Sequence, residues 1–376
     1  MSFLVSGLFP FLSLVAAALP TVGYVLLVWW IDRYEKEPIK LLAITFLWGA
    51  VPAVLASCMI EVAFDTPLVA LSGRDSQLLS ASVIAPPVEE FLKGLALLGI
   101  YWLARYQFDG VLDGIIYGSL VGFGFAMTEN VLYFWDNQGD GLVAWSVIVL
   151  GRAVVFGFNH AMFTSLTGVG FGLARYTKSR PKRWGIIGFG LLAAITTHFF
   201  HNVFVSAGNL CVVSFIFDWL GVLVVFLIVL LAWRRERTWM ETQLADEVAS
   251  GVLNPWHYEV VTSWRKRFQL SWQAVGVSGL RQARLWRKLV DSATRLAFRK
   301  HQQAVMAGAR ANDASANVYV RKIAEERASI VQIRQQLGDE AVLDSTVCAR
   351  CGRPSPAAKG AVCAHCGAPW LGKAEE

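Results

Sequence analysis

Apolar residues run almost unbroken through the first 233 positions of this 376-residue chain, interrupted only by short polar segments. A membrane-spanning helix needs about 20 consecutive apolar residues. Seven runs reach that length: 8–31, 40–60, 81–104, 111–135, 143–173, 185–206 and 212–233. The fifth exceeds what a bilayer requires, which predicts a helix that is tilted, broken or extended beyond it. The pattern therefore predicts an all-α polytopic membrane protein with about seven transmembrane helices over residues 1–235. Beyond it the pattern changes. Over 236–340, Leu285, Leu289, Ala293 and Leu296 form one helical stripe among basic residues, and Val320, Ala324, Ala328 and Val331 form another. Stripes at this spacing predict a water-compatible helical hairpin or short coiled coil.

Composition and charge sharpen the division. The chain is 55% hydrophobic and only 16% charged, where soluble domains carry about a quarter charged residues. Residues 1–233 hold 12 Lys/Arg and 14 Asp/Glu, a net −2, and residues 234–376 hold 22 and 14, a net +8. No basic segment precedes the first apolar run, which continues to Trp30; this predicts a retained helix rather than a signal peptide. Basic segments such as "DRYEKEPIK", "RYTKSRPKR" and "RRER" alternate with loops poor in Lys and Arg. By the positive-inside rule this places the N-terminus outside and the tail in the cytoplasm of a cell-membrane protein.

The apolar runs are not clean. The third contains Glu89, Glu90 and Lys93, and the fourth contains Glu129 and Asn130. The fifth contains Arg152 and His160, and the sixth His198, His201 and Asn202. A charge at the bilayer centre costs about 2.5–3.5 kcal/mol on insertion scales, so such residues face the bundle interior, pair, and mark function. Helical spacing lets Lys93 neutralise either glutamate, sets His198, His201 and Asn202 on one face, and puts Thr164 on the face of His160. Counted from the span ends, most of these groups lie at one level between the outer surface and the midplane. The blander readings are a neutralised structural Glu–Lys pair, interhelical hydrogen-bonding histidines, and Arg152 and Asp218 as interfacial anchors. Pro86 and Pro87 either kink the third run or begin its main helix. Gly118, Gly122 and Gly124 predict close helix contact rather than a nucleotide loop.

Carboxylates and imidazoles around a wet intramembrane cavity support general acid–base chemistry, in which one Glu takes a proton from water and a His shares or relays it. Another His and an Asn amide can donate hydrogen bonds to an oxyanion. The same side chains are also ligands for a water-activating metal. No Ser or Cys stands beside a base as a nucleophile; Cys58 and Cys211 read as small core residues. A proton-coupled transporter and a catalytically inactive membrane scaffold are the competing classes. The absence of an internal repeat argues against the former.

The order "EEFLK", "GIIYGSLVGFGFAMTEN", "HAMFT", "HFFHN", with "DRYEKEP" before it, resembles the PrsW family of intramembrane proteases over about residues 20–210. That family is related to CAAX-prenyl endopeptidases and immunity-type membrane proteases. The resemblance implies catalytic roles for Glu89, Glu90, Glu129, His160, His198 and Asn202, supported by Lys93, Asn130, Arg152 and His201, with His201 close enough to His198 to leave open which of the two is catalytic. On it Glu89 is the expected general base, Glu90 and His160 position the water or share the proton, and His198 with Asn202 binds the oxyanion. It implies cleavage of membrane-anchored proteins, anti-sigma factors among them, by either glutamate- or metal-dependent chemistry.

Residues 341–376 carry Cys348, Cys351, Cys363 and Cys366 as two C-x₂-C pairs. Four thiolates at this spacing predict a closed, structural zinc ribbon. The basic helical region before it suits a cytoplasmic protein partner or anionic lipid better than nucleic acid, and Trp256, Trp264 and Trp272 suit a membrane interface.

Overall fold

The computed structural model describes residues 2–72, 80–277, 279–307 and 314–337. Every regular element among them is helical. Contacts divide the chain into two units: Met1–Asp32 with Lys36–Ala232, and Arg33–Glu35 with the residues from Trp233 onward.

The first unit is built from α1 (Ser2–Ile31), α2 (Ile39–Trp48), α3 (Val54–Ser72), α4 (Ala85–Leu103), α5 (Val111–Asp136), α6 (Leu142–Val149), α7 (Asn159–Ala174), α8 (Arg180–Ser206) and the start of α9 (Cys211–Ala249). Six of the apolar runs lie in helical segments long and apolar enough to cross a bilayer. The remaining run, 81–104, forms α4 with a π-turn, Ser80–Ile84, before it. It differs from the others in carrying three ionisable residues. The outward faces are apolar, with Leu19, Leu26, Leu192 and Phe189 exposed, as lipid contact requires.

The prolines and glycines set the geometry. Pro86 and Pro87 occupy the first turn of α4, so they start that helix instead of kinking it. The fifth run is broken: α6 passes into a π-turn, Leu150–Val155, and α7 begins afresh at Asn159. Helix α5 is the hub, and each residue from Leu112 to Ala126 is buried, as expected of a helix apolar on all sides. Asp113 secures its start by accepting from the backbone N–H groups of Asp109 (2.6 Å) and Gly110 (2.7 Å). Small residues let α5 and α7 nearly touch. A Cβ on Gly114 would meet Gly168 O at 2.1 Å, and one on Gly122 would meet His160 O at 2.3 Å.

One expectation and two of the blander readings change. Cys58 and Cys211 are exposed rather than core residues; on a lipid-facing surface a small apolar thiol incurs no burial requirement. Asp218 is fully buried, not an interfacial anchor. Arg152 points inward to partners instead of to the interface.

The second unit contains the end of α9, then α10 (Pro255–Thr262), α11 (Trp264–Val277), α12 (Gly279–Ala307) and α13 (Ala314–Gln336). Asn254 caps α10 by accepting from His257 N at 2.7 Å. Leu289, Ala293 and Leu296 of α12 are buried as the stripe predicts. On α13 the buried apolar set is Tyr319, Ile323, Ile330, Val331 and Ile333, while Val320 and Ala328 are exposed. The helix turns its larger side chains inward, and Arg327 follows them because buried Glu247 receives it, Nε to Oε2 at 2.9 Å, with Lys300 Nζ 2.7 Å from the other oxygen. Trp256 is exposed, and Trp264 stacks under the Arg33 guanidinium at 4.5 Å. The side chain of Trp272 and the cysteines 348, 351, 363 and 366 lie outside the described residues.

Candidate active site

Four helices bring their polar groups to one end. Glu89 and Glu90 lie in the second turn of α4, just after its proline start, and His160 lies in the first turn of α7, just after the break in the fifth run. Glu129 and Asn130 come from the last turns of α5, and His198, His201 and Asn202 from the last turns of α8. Helices entering in opposite directions thus deliver their chemistry at a common level.

Lys93 is the centre of the cluster and is fully buried. Its ammonium reaches Glu90 Oε1 at 2.8 Å, Glu89 Oε2 at 3.0 Å and His160 Nδ1 at 3.0 Å. Three N–H donors meet three acceptors, and the ring of Phe125 covers the ammonium at 3.8 Å. An ammonium only donates, so His160 Nδ1 is the bare nitrogen. His160 Nε2 stands 2.9 Å from Glu129 Oε2 as an ion-pair contact. Glu129 is also held by Arg152 Nη2 at 2.9 Å, and Arg152 Nε donates to Asn130 Oδ1 at 3.0 Å. The guanidinium rests on Tyr133, 3.6 Å from the ring centre.

Glu90 has no exposed surface. Besides Lys93 it meets Thr164 Oγ1, which donates to Oε2 at 2.9 Å, and His198 Nδ1 at 3.1 Å. Phe163 stacks on the His198 ring at 4.6 Å. With Nδ1 turned to Glu90, His198 presents Nε2 towards Glu89 Oε2, 4.0 Å away. Asn202 donates to the Ala81 carbonyl at 2.7 Å.

A cavity of about 350 Å³ opens against this cluster. Its wall includes Glu89, Glu129, Arg152, His160, His198, His201 and Asn202. Glu90 and Lys93 stand behind the wall, not in it. The ten membrane-site residues singled out in the sequence therefore all gather around one cavity, but in different ranks.

Four further residues emerge only here. Glu61 of α3 lines the cavity. Asn159, Ser214 and Asp218 surround His201: Asp218 Oδ2 lies 2.7 Å from His201 Nδ1 and accepts from Asn159 Nδ2 at 3.0 Å and Ser214 Oγ at 3.1 Å. Glu61 carried the same signal as Glu129, a lone carboxylate in an apolar segment. Asn159 and Ser214 carried none, since neutral polar residues are common in membrane helices.

The sequence model of the PrsW family, described as "PrsW family intramembrane metalloprotease", matches residues 37–233, more than half of the chain. Among curated relatives, "Protease PrsW" of Geobacillus kaustophilus is 29% identical over 153 residues, covering 40% of this chain and 61% of the relative. "Protease PrsW" of Clostridioides difficile is 27% identical over 167 residues, covering 44% of this chain and 68% of that protein. The Bacillus subtilis "Protease PrsW" is 29% identical over 154 residues, covering 41% and 65%. The chain thus spans less than two thirds of the first and third of these relatives. No solved structure matches the chain.

The family description raises the question of a metal. Glu89, Glu90, His160 and His198 each offer a ligand atom, all within 4.8 Å of one another, and carboxylate with imidazole is a donor set used by catalytic metals. The Lys93 ammonium, however, already engages Glu89, Glu90 and His160. An ion held by all four ligands does not fit while Lys93 stands among them.

Proposed function

This chain belongs to the PrsW family, and we propose that it is an intramembrane endopeptidase that hydrolyses membrane-anchored proteins with a glutamate-activated water. The observation that carries this reading is Glu89: a nearly buried carboxylate on the wall of a polar cavity within the membrane unit, braced from behind by Lys93.

In this mechanism Glu89 takes a proton from a cavity water as its oxygen adds to the peptide carbonyl carbon. His198 Nε2, on the Glu89 side of its ring, accepts the second O–H of that water and orients it. The Asn202 amide, which spends one N–H on Ala81 O, has a second to donate to the developing oxyanion, together with the positive field of Arg152. Glu90 and Lys93 position the site: Glu90 fixes His198, and Lys93 holds two adjacent carboxylates and His160 in one register. Glu129 holds His160 and Arg152 in place. No step passes through a metal, because the Lys93 ammonium engages three of the four ligands one would need.

The alternation of basic loops supports an outward-facing cavity, with the N-terminus outside and the basic tail in the cytoplasm. Substrates are then single-span or membrane-anchored proteins cleaved towards the extracytoplasmic side, anti-sigma-type regulators among them. The spacing of Cys348, Cys351, Cys363 and Cys366 supports a structural zinc ribbon on that tail. Its basic helices suit a cytoplasmic protein or anionic lipid.

The test is Glu89→Gln in the purified, reconstituted chain with a membrane-anchored reporter. The amide keeps the shape but takes no proton. We expect normal insertion and loss of cleavage; cleavage at the wild-type rate would end this reading.

A further inference from the structure

His201 on the cavity wall and Asp218 buried behind it form a second carboxylate–imidazole pair that the mechanism above leaves unused. His201 and Asp218 come from different helices, α8 and α9, and meet at 2.7 Å between His201 Nδ1 and Asp218 Oδ2. Asp218 is fully buried, and its Oδ2 is also the acceptor for Asn159 and Ser214. Three polar contacts on one buried oxygen are not what an incidental membrane carboxylate shows. Ser214 is itself fully buried and turned to Asp218, so it is a brace and not a nucleophile.

The three imidazoles on the cavity wall differ in what they have free. Both nitrogens of His160 are engaged, Nδ1 by Lys93 and Nε2 by Glu129. His198 is fixed by Glu90 and turned to Glu89. His201 has all its polar contacts on Nδ1. Its ring stands between Phe156, at 5.3 Å, and Phe163, at 5.8 Å, and its side chain keeps 15% exposure at the cavity. Nε2 is left for the substrate, and a buried anion stands behind the ring to balance an imidazolium.

We propose that His201 is the general acid that protonates the departing amine, and that Asp218 is the residue that positions it. This rests on the endopeptidase reading. The step balances as follows. Glu89 gains a proton when water adds to the carbonyl carbon. As the C–N bond breaks, its electron pair goes to nitrogen, which takes the proton from Nε2 of the His201 imidazolium. The products are an acid and a neutral amine. Proton return from Glu89 to His201 through cavity water restores both groups.

An amide nitrogen cannot leave without a proton, whereas an alkoxide can. The experiment therefore compares two substrates: a membrane-anchored reporter whose cleavage site has been mapped with the wild-type chain, and the same reporter with the scissile N–H replaced by an ester oxygen. For His201→Gln we expect amide cleavage to fall about 100-fold or more, the size of a general-acid contribution, and ester cleavage to fall less than about 10-fold. Asp218→Asn should show the same selectivity at smaller amplitude, since it acts through His201. Ester cleavage reports that each variant is folded. Equal losses on both substrates, or no loss on the amide, overturn the assignment. A wild-type chain that cleaves no membrane-anchored reporter, so that no site can be mapped, overturns the endopeptidase reading instead.

Discussion

Gly122 of α5 lies directly against the backbone of His160 in α7. A Cβ at Gly122 would stand 2.3 Å from His160 O and 2.6 Å from Ala161 N. The hydrogen at this position is therefore what allows α7 to sit close enough for His160 to reach both Lys93 and Glu129. Both obstructing atoms are backbone, so no side chain can swing aside.

Gly122→Ala is expected to separate α5 from α7 and to destabilise the chain by about 1–3 kcal/mol, the usual cost of overpacking. Cleavage should fall further than stability, because His160 moves off its partners. Gly188→Ala in α8, where a Cβ meets nothing within 4 Å, is the control and should be silent. Thermal unfolding in detergent alongside reporter cleavage checks both.

Lys93 is the only cation in direct contact with Glu89 and Glu90 among the described residues. Lys93→Met leaves two adjacent buried carboxylates uncompensated, and removing one partner of a buried pair costs about 3–5 kcal/mol. We expect poor accumulation and no cleavage. Lys93→Arg should not restore activity, since a planar guanidinium cannot direct three donors from one atom. Yield, melting temperature and cleavage are the measurements.

The same contacts predict how the protein responds to chelators. In the full-length chain, bound zinc should track Cys348 and Cys351: serine at both positions should remove it. Cleavage should persist in chelator. Elemental analysis with parallel activity assays separates the two sites. Cleavage that disappears with chelator and returns with metal would place an ion among Glu89, Glu90, His160 and His198 after displacement of Lys93.

Arg152 anchors Glu129 from the cavity side, with both side chains partly exposed at 31% and 20%. Arg152→Leu should lower cleavage about 10–100-fold, in line with a charge-assisted hydrogen bond of about 1.5–3 kcal/mol. Stability should change little, because Glu129 keeps His160. Arg152→Lys retains the charge but loses the bond from Nε to Asn130, and should fall between the two.

In the second unit, His301 stacks on Trp239 with ring centres 4.0 Å apart. Burial, and then the charge of Arg235, push its pKa down to about 4. The unfolded chain therefore binds this proton more readily than the folded one. The stability contribution is complete above about pH 6.5, the ordinary histidine value. It is lost as pH falls from there towards 4. Denaturant unfolding followed by tryptophan fluorescence should show that decline, and His301→Phe should flatten it.

The chain's membrane helices follow directly from its apolar runs, because a helix is the one local structure that satisfies its backbone without water. The ionisable residues within those runs pointed to one candidate site for the same reason: each is costly unless it meets a partner. Even the rank of Lys93 beside Glu89 and Glu90 was readable, since residues three and four apart on a helix are neighbours. The break before His160 was foreseen only as one of several fates of an overlong run. What no single segment encodes is which faces meet. Val320 and Ala328 fit an apolar stripe, yet α13 turned Ile323 and Ile330 inward because larger side chains bury more area. Asp218 looked like an anchor because its partners, Asn159, His201 and Ser214, are scattered over three helices. The sequence by itself determined that carboxylates and imidazoles must converge inside the membrane. The tertiary structure decided their order: Lys93 and Glu90 behind the wall, Glu89 on it, and His201 backed by Asp218. That order depends on interhelical distances set by hydrogens at Gly114 and Gly122, and no local pattern of polar and apolar positions specifies such distances.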